Sequence, residues 1–155
     1  MTPFTTASAF ETDRLAELAG RRHGCLQQLH VLSRRQLELI DQEDMTQLLG
    51  VLAAKQRLLG ELQEVERGLD PFRGQNPAER RWRTPEARRR CADLIAQSEA
   101  LFAEILQREK EGEEQMRRRR DQKAVRLQGA RTATQARSAY AGDSARAGRL
   151  DVSSE

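Results

Sequence analysis

The sequence predicts an all-α protein, an antiparallel three-helix bundle or coiled-coil-like hairpin with a long third helix and a disordered C-terminal tail. Apolar residues recur at helical spacing in three segments of the 155-residue chain. Aromatic residues make up only 4% and charged residues 33% of the sequence. A composition rich in Ala, Glu, Leu, Arg and Gln with this periodicity is typical of helical bundles and coiled coils.

The first two helices are predicted over residues 11–41 and 45–67, after a flexible N-terminus at residues 1–10. The apolar residues of the first helix occupy about 160° of its circumference, which is a wide core-facing stripe. Asp44 is a good N-cap for the second helix, and Gln47 three residues later completes a capping-box-like pair. The short link between these helices predicts an antiparallel hairpin.

The third helix is predicted over residues 86–128, after a linker at 68–85, and it completes a bundle that spans residues 11–128. Thr84 as N-cap and the proline that follows it form a strong helix start. The apolar stripe fails after Leu106, so the helix is expected to extend beyond its core. Residues 129–155 are small and polar, and we expect them to be disordered or only transiently helical when free.

No motif in the sequence points to catalysis. His23 and His30 lie seven residues apart, whereas two imidazoles on one helix turn require a spacing of three or four. Cys25 and Cys91 each lie in an apolar stripe, where buried free thiols are favoured over a disulfide. We therefore expect no enzyme activity, no metal and no cofactor.

Two basic clusters are open to more than one interpretation. The arginines at 117–120 point in all directions round a helix and follow the acidic stretch EKEGEEQ, which argues against a nucleic-acid patch. The cluster at 79–90 contains Trp82, which is predicted to fold back and cap the bundle, with a partner contact as the alternative.

The second helix carries apolar residues round about 200° of its circumference, which is more than a single neighbouring helix covers. The first and third helices offer enough apolar surface to account for most of it as bundle core. The alternative is that part of this surface stays open as a groove for an amphipathic partner helix. Both interpretations remain open at this point.

The stretch ELIDQEDMTQLLGVLAAKQRLLGELQEVERGLDPFR resembles the middle of the flagellar export chaperones of the FlgN type. A later helix followed by a small-residue tail with a lone tyrosine, SAYAGDSARAGRLD, is also similar to that family. The residues that carry the first match are Asp44, Leu48, Leu49, Lys55, Leu58, Leu59 and Leu62.

The resemblance implies a small cytoplasmic chaperone that holds hook–filament junction proteins before type III export. It implies that the C-terminal part of the chain binds the amphipathic end of the cargo, for which the candidate residues are Leu101, Ile105, Met116 and Leu127. It also implies that Tyr140, the only tyrosine, contacts a membrane protein of the export gate.

Two other functions compete with this interpretation. One is a coiled-coil structural or adaptor protein of the export apparatus, similar to the stalk of its ATPase, and the other is a basic nucleic-acid-associated protein. The longest apolar run, LLGVLAA, is far shorter than a membrane span, and the first residues resemble no signal peptide. We expect a cytoplasmic protein without membrane insertion or nucleic-acid binding, either monomeric or a homodimer.

Overall fold

The computed structural model describes the backbone of residues 11–152 and the side chains of residues 11–142. The described part contains three α-helices and no strand, which confirms the all-α fold class. The predicted flexible segment at residues 1–10 lies outside the described residues. The helices are α1 (Glu11–Gln42), α2 (Met45–Arg73) and α3 (Pro85–Val152), and a short 3₁₀ helix, Pro77–Glu79, lies between α2 and α3.

The chain divides into two compact units, Met1–Glu113 and Glu114–Glu155. The first unit contains α1, α2 and the N-terminal part of α3, which pack side by side as the bundle. The second unit contains the rest of α3.

The connection between α1 and α2 is a tight helix end followed directly by a helix start. Glu43 has φ 56°, in the left-handed region, and its N–H donates to Ile40 O while the N–H of Asp44 donates to Leu39 O. These two bonds form a Schellman motif and satisfy carbonyls that the end of α1 leaves free. The Asp44 carboxylate then accepts from Gln47 N at 3.1 Å, as the N-cap prediction requires. The result is the predicted antiparallel hairpin.

The two ends of the linker differ in how well the sequence predicted them. Thr84 Oγ1 accepts from Ala87 N at 3.1 Å, which confirms it as the N-cap of α3. By contrast, α2 continues past the predicted end at residue 67 to Arg73, through Pro71. A proline costs a helix one backbone hydrogen bond, and here it stands in the last turn, where Phe72 is buried in the core. Burial of that ring keeps the last turn helical.

Three apolar clusters follow one another along the bundle. The first two draw on all three helices, and the third lies between α1 and α2 at their connection. Trp82 packs against the first cluster, as predicted for a tryptophan that caps the bundle. The first cluster contains Leu15, Leu18, Ala19, Val65, Phe72 and Cys91, the second contains Leu26, Leu29, Leu58 and Ile105, and the third contains Leu39, Ile40 and Leu48.

Two glycines mark where the other helices approach α1 most closely. A Cβ on Gly68 of α2 would lie 3.2 Å from both methyl carbons of Leu18. A Cβ on Gly112 of α3 would lie 3.6 Å from Gln36 and Leu37. These positions therefore define the faces of α2 and α3 that point toward α1.

The second unit is a continuation of helix α3. The described helix runs past the predicted helix end at residue 128, to Val152. Residues 120–142 are exposed throughout, so this segment buries no core of its own among the residues whose side chains are described. The prediction that residues 129–155 are disordered or transiently helical when free stays a prediction.

Candidate binding surfaces

A polar network crosses the middle of the bundle. The ammonium group of Lys55 on α2 donates to Gln36 Oε1 of α1 at 2.6 Å and also forms an ion pair with Glu109 on α3. Ser33 Oγ of α1 donates to the same Glu109 oxygen at 3.2 Å. Lys55 is only 8% exposed, whereas the Glu109 side chain is 36% exposed. A buried ammonium requires such partners, so the network is a structural link between the three helices.

A second ionic cluster lies nearer the N-terminal end of α1. Arg22 forms ion pairs with Glu66 of α2 at 2.6 Å and Glu99 of α3 at 3.2 Å, and Arg73 also pairs with Glu66. Burial alone would raise the pKa of Glu66, but hydrogen bonds from the two arginines outweigh burial and lower this pKa below its ordinary value of 4.5. The paired charges stabilise the bundle and leave little net positive charge that could bind an anion.

A cavity of about 210 Å³ adjoins this ionic cluster. Its walls combine apolar side chains, including Leu69 and Ile95, with the guanidinium groups of Arg22 and Arg80. Ser98 also lines it, and the hydroxyl of this residue is buried without a hydrogen-bond partner. The Arg80 guanidinium itself donates to Phe72 O at 2.7 Å. The cavity therefore shows no convergent set of reactive groups.

The nucleophilic and metal-binding residue types are dispersed. Cys25 and Cys91 are buried free thiols, as predicted, and burial raises the pKa of each. His30 Nε2 lies 2.6 Å from Glu104 Oε2, without the alignment that a hydrogen bond requires. In the described part of the chain, no three His, Cys, Asp or Glu residues lie close enough together to hold a metal ion. The described residues thus offer binding surfaces and no assembled catalytic centre.

The exposed side of α2 differs from an ordinary solvated helix surface. Its exposed residues Met45, Leu49, Leu52, Gln56 and Leu59 follow a spacing of four and three, which is the seam pattern of a coiled coil. We call these five residues the outer stripe. Across residues 45–60, Arg57 is the only charged residue at an exposed position. An uncharged surface of this length in a chain that is 33% charged indicates contact with another helix.

The outer stripe borders the contact between α2 and α3. On α2, Leu59 at the near edge of the stripe lies about 40° round the helix from Lys55, which contacts Glu109 of α3 as well as Gln36 of α1. On α3, the exposed Phe102 and Leu106 lie about 20° and 60° round the helix from Glu109, on the side of Glu109 away from Gly112, which faces α1. Leu58 and Ile105 share a core cluster, so Phe102 and Leu106 lie level with the Leu59 end of the stripe and border a groove there, on the side of the bundle away from α1. We call it the outer groove.

The four candidate cargo-binding residues fall into two groups. Ile105 is buried in the second core cluster, and Leu101 packs against that cluster. Met116 and Leu127 belong to the second unit and are exposed. Their binding role stays a prediction, but Ile105 already has partners inside the bundle and would become available to a cargo only if the bundle opened.

The remaining candidates lie on the exposed helix of the second unit. Tyr140 is 78% exposed, so its ring is accessible to a partner. The arginines at 117–120 are spread round the helix at about 100° per residue, as the sequence indicates. They therefore form no single basic stripe. Within the described residues, no helix has the length and apolar character required to cross a membrane.

Comparisons with models of known protein families, with curated protein sequences and with solved structures find no significant match to this chain.

Proposed function

We propose that the protein is a helical chaperone that binds an amphipathic helix of another protein. From the FlgN-type resemblance, we propose that this partner is a hook–filament junction protein held in the cytoplasm before type III export. The observation that carries the proposal is the exposed part of α3, a helix with large apolar side chains and no core to bury them in. A helix with these properties gains stability when a partner covers its apolar side chains.

Two of these side chains share one face of the helix. Met116 and Leu127 lie eleven residues apart, which places them within about 20° of each other and about 16 Å apart along the axis. Arg120 and Lys123 lie between them on the same side of the helix. This face matches a partner helix with two apolar anchors and acidic residues between them.

Tyr140 lies about 140° round the helix from Leu127. A contact at Tyr140 with an export-gate protein therefore leaves the face of Met116 and Leu127 free for cargo. Simultaneous binding of both partners suits a chaperone that delivers its cargo to the gate.

The test is co-expression of the full chain with candidate hook–filament junction proteins, followed by measurement of the mass of the complex by size-exclusion chromatography with light scattering. The double variant Met116→Ser/Leu127→Ser should weaken cargo binding by tenfold or more, since burial of each apolar group contributes roughly 1–3 kcal/mol. Val125→Ser is the matched control because Val125 is exposed and lies on the opposite side of the helix. Unchanged binding by the double variant would contradict the proposal.

A truncation provides a second test, and the structure fixes where it must begin. Removal of residues from 108 onward would delete Glu109, the partner of buried Lys55. Removal of residues 114–155 leaves that ion pair in place and follows the boundary between the two units. The shortened chain should keep its helical circular dichroism and lose cargo. Tyr140→Ala should keep cargo bound and reduce export, whereas normal export by that variant would argue against the gate contact.

One observation favours a second candidate function, a coiled-coil component of the export apparatus. Helix α3 is 68 residues long without a break, as in a stalk. A stalk requires a sustained heptad pattern, however, and apolar residues at seam positions become sparse after Leu106. Co-purification with the export ATPase in place of junction proteins would favour this candidate.

A further inference from the structure

We propose that the outer groove is the interface of a homodimer, in which α2 of one copy packs antiparallel against α2 of a second copy. The inference rests on the first unit alone and does not depend on the proposed chaperone function. It accounts for the exposed apolar residues that the intramolecular core leaves uncovered on α2.

The outer stripe can pair with a second copy of itself. In an antiparallel pair centred on Gln56, Leu52 of one copy meets Leu59 of the other, and the same contact occurs a second time across the two-fold axis. The two Gln56 amides lie opposite each other at the axis, where each can donate to and accept from the other. A surface of this kind is complementary to itself, as a two-fold dimer requires.

The outer stripe also lacks charged residues. In a two-fold dimer, a charged residue near the axis meets its own copy, and this repulsion opposes self-association. The exposed positions of residues 45–60 carry only Arg57, which lines a depression with Val31 of α1 and not the outer groove. The exposed positions of α1, by contrast, are mainly Asp, Glu and Arg. The α2 wall of the outer groove is therefore uncharged at its stripe positions from Met45 to Leu59, and this wall is suited to packing against a second copy of itself.

The outer groove has room for a helix that contacts more than α2. Phe102 and Leu106 of α3 form its second wall, so a helix lying in the groove contacts α2 and α3 together. In the dimer, the α2 helix of each copy occupies the groove of the other. The two α2 helices and the two α3 helices then make a four-helix arrangement with the α2 pair at its centre.

The expected affinity is modest. The exposed fractions of Met45, Leu49, Leu52 and Leu59 together correspond to about two whole side chains in each copy, and association costs offset much of the gain from their burial. A dissociation constant of about 1–100 µM is expected. The mass of the full chain, measured by analytical ultracentrifugation over about 1–300 µM, should rise from one copy to two.

A pair of variants matched in exposure tests the position of the interface. Leu49 is 68% exposed and lies in the outer stripe, whereas Val31 is 63% exposed and lies on α1. Leu49→Glu should leave the chain folded by circular dichroism and monomeric over the whole concentration range. Val31→Glu should dimerise like the unmodified chain. Equal dimerisation by both variants, or an unmodified chain that stays monomeric at the highest concentration, would overturn the proposal.

A charge exchange at Gln56 tests the two-fold axis. Gln56→Glu and Gln56→Lys should each weaken the dimer by about tenfold or more, because each places two like charges face to face. An equimolar mixture of the two variants should recover the dimer, since Glu then lies opposite Lys. If the mixture dimerises no more strongly than either variant alone, this axis is ruled out. Binding of an added amphipathic peptide in the groove of a chain that itself stays monomeric would also overturn the proposal.

Discussion

Lys55 and Glu109 offer a sharp test of how the bundle is stabilised, because their substitutions should have very different costs. Glu109→Ala leaves the Lys55 ammonium buried with Gln36 as its remaining partner. Loss of one member of a fully buried ion pair costs about 3–5 kcal/mol. The Glu109 side chain is 36% exposed, so water partly replaces it and we expect about 2 kcal/mol.

Lys55→Met should have a much smaller effect. It replaces the ammonium with an apolar side chain of similar length, and Glu109 keeps its hydrogen bond from Ser33 and its access to water. Replacement of a buried charge by a well-packed apolar group is often neutral or stabilising, so the free energy of unfolding should change by less than about 1 kcal/mol. The double variant should be about as stable as Lys55→Met alone, since the charge that Glu109 compensates is gone.

The assay is urea unfolding followed by circular dichroism at one fixed protein concentration, so that any dimerisation affects all variants alike. In thermal unfolding, the Glu109→Ala change corresponds to a decrease in Tm of about 4–8 °C. Glu113→Ala, at an exposed position on α3, is the control and should change stability by less than about 0.5 kcal/mol. A Lys55→Met variant that is destabilised as much as Glu109→Ala would refute the reasoning.

Three further predictions concern single sites. Gly20→Ala should stabilise the chain by about 0.5–1 kcal/mol, because a Cβ there meets nothing within 4 Å. Gly68→Ala should not stabilise it, because a Cβ there would lie 3.2 Å from the Leu18 methyl carbons. Thermal unfolding of both variants measures the difference. The thiols of Cys25 and Cys91 should react with a chromogenic disulfide reagent only after denaturant is added; fast reaction of the native protein would contradict their burial. The lowered pKa of Glu66 means that its contribution to stability is present above about pH 4.5 and is lost as the pH falls through the folded-state pKa, so Glu66→Gln should lose less stability on acidification.

The helix starts were predictable from sequence because they depend on local hydrogen bonds. Asp44 and Thr84 cap their helices through side-chain oxygens that accept from N–H groups three residues later. Caps of this kind need no information about the rest of the fold. The amphipathic periodicity likewise predicted the three-helix bundle, since the apolar stripes must face each other.

The end of α2 was not predictable in the same way. Gly68 and Pro71 both indicated a helix end near residue 67. In the structure, Gly68 provides space for Leu18, and Phe72 is buried against the first core cluster. Tertiary packing therefore outweighs the local preference for a break, and that packing involves residues far away in the chain.

The candidate surfaces were predictable only in part. The apolar surface of α2 was too wide for one neighbour, which left a partner groove open as an interpretation. Helical spacing alone did not distinguish the exposed outer stripe from the core-facing side, because adjacent leucines such as Leu48 and Leu49 look alike in sequence. The structure separates them, since Leu48 is buried and Leu49 is exposed. A missed signal was the lack of charged residues at the stripe positions.

The polar network also has a consequence for how the helices align. Leucine stripes are similar from one turn to the next, so a bundle held by them alone could shift by one turn, about 5.4 Å, at little cost. A shift in either direction would move the Lys55 ammonium away from Glu109 and Gln36, and in one direction it would move it toward the apolar cluster around Ile105. The unshifted alignment is the one that keeps the ammonium paired. We therefore expect Lys55 to favour a single register among similar alternatives, even where its net contribution to stability is close to zero.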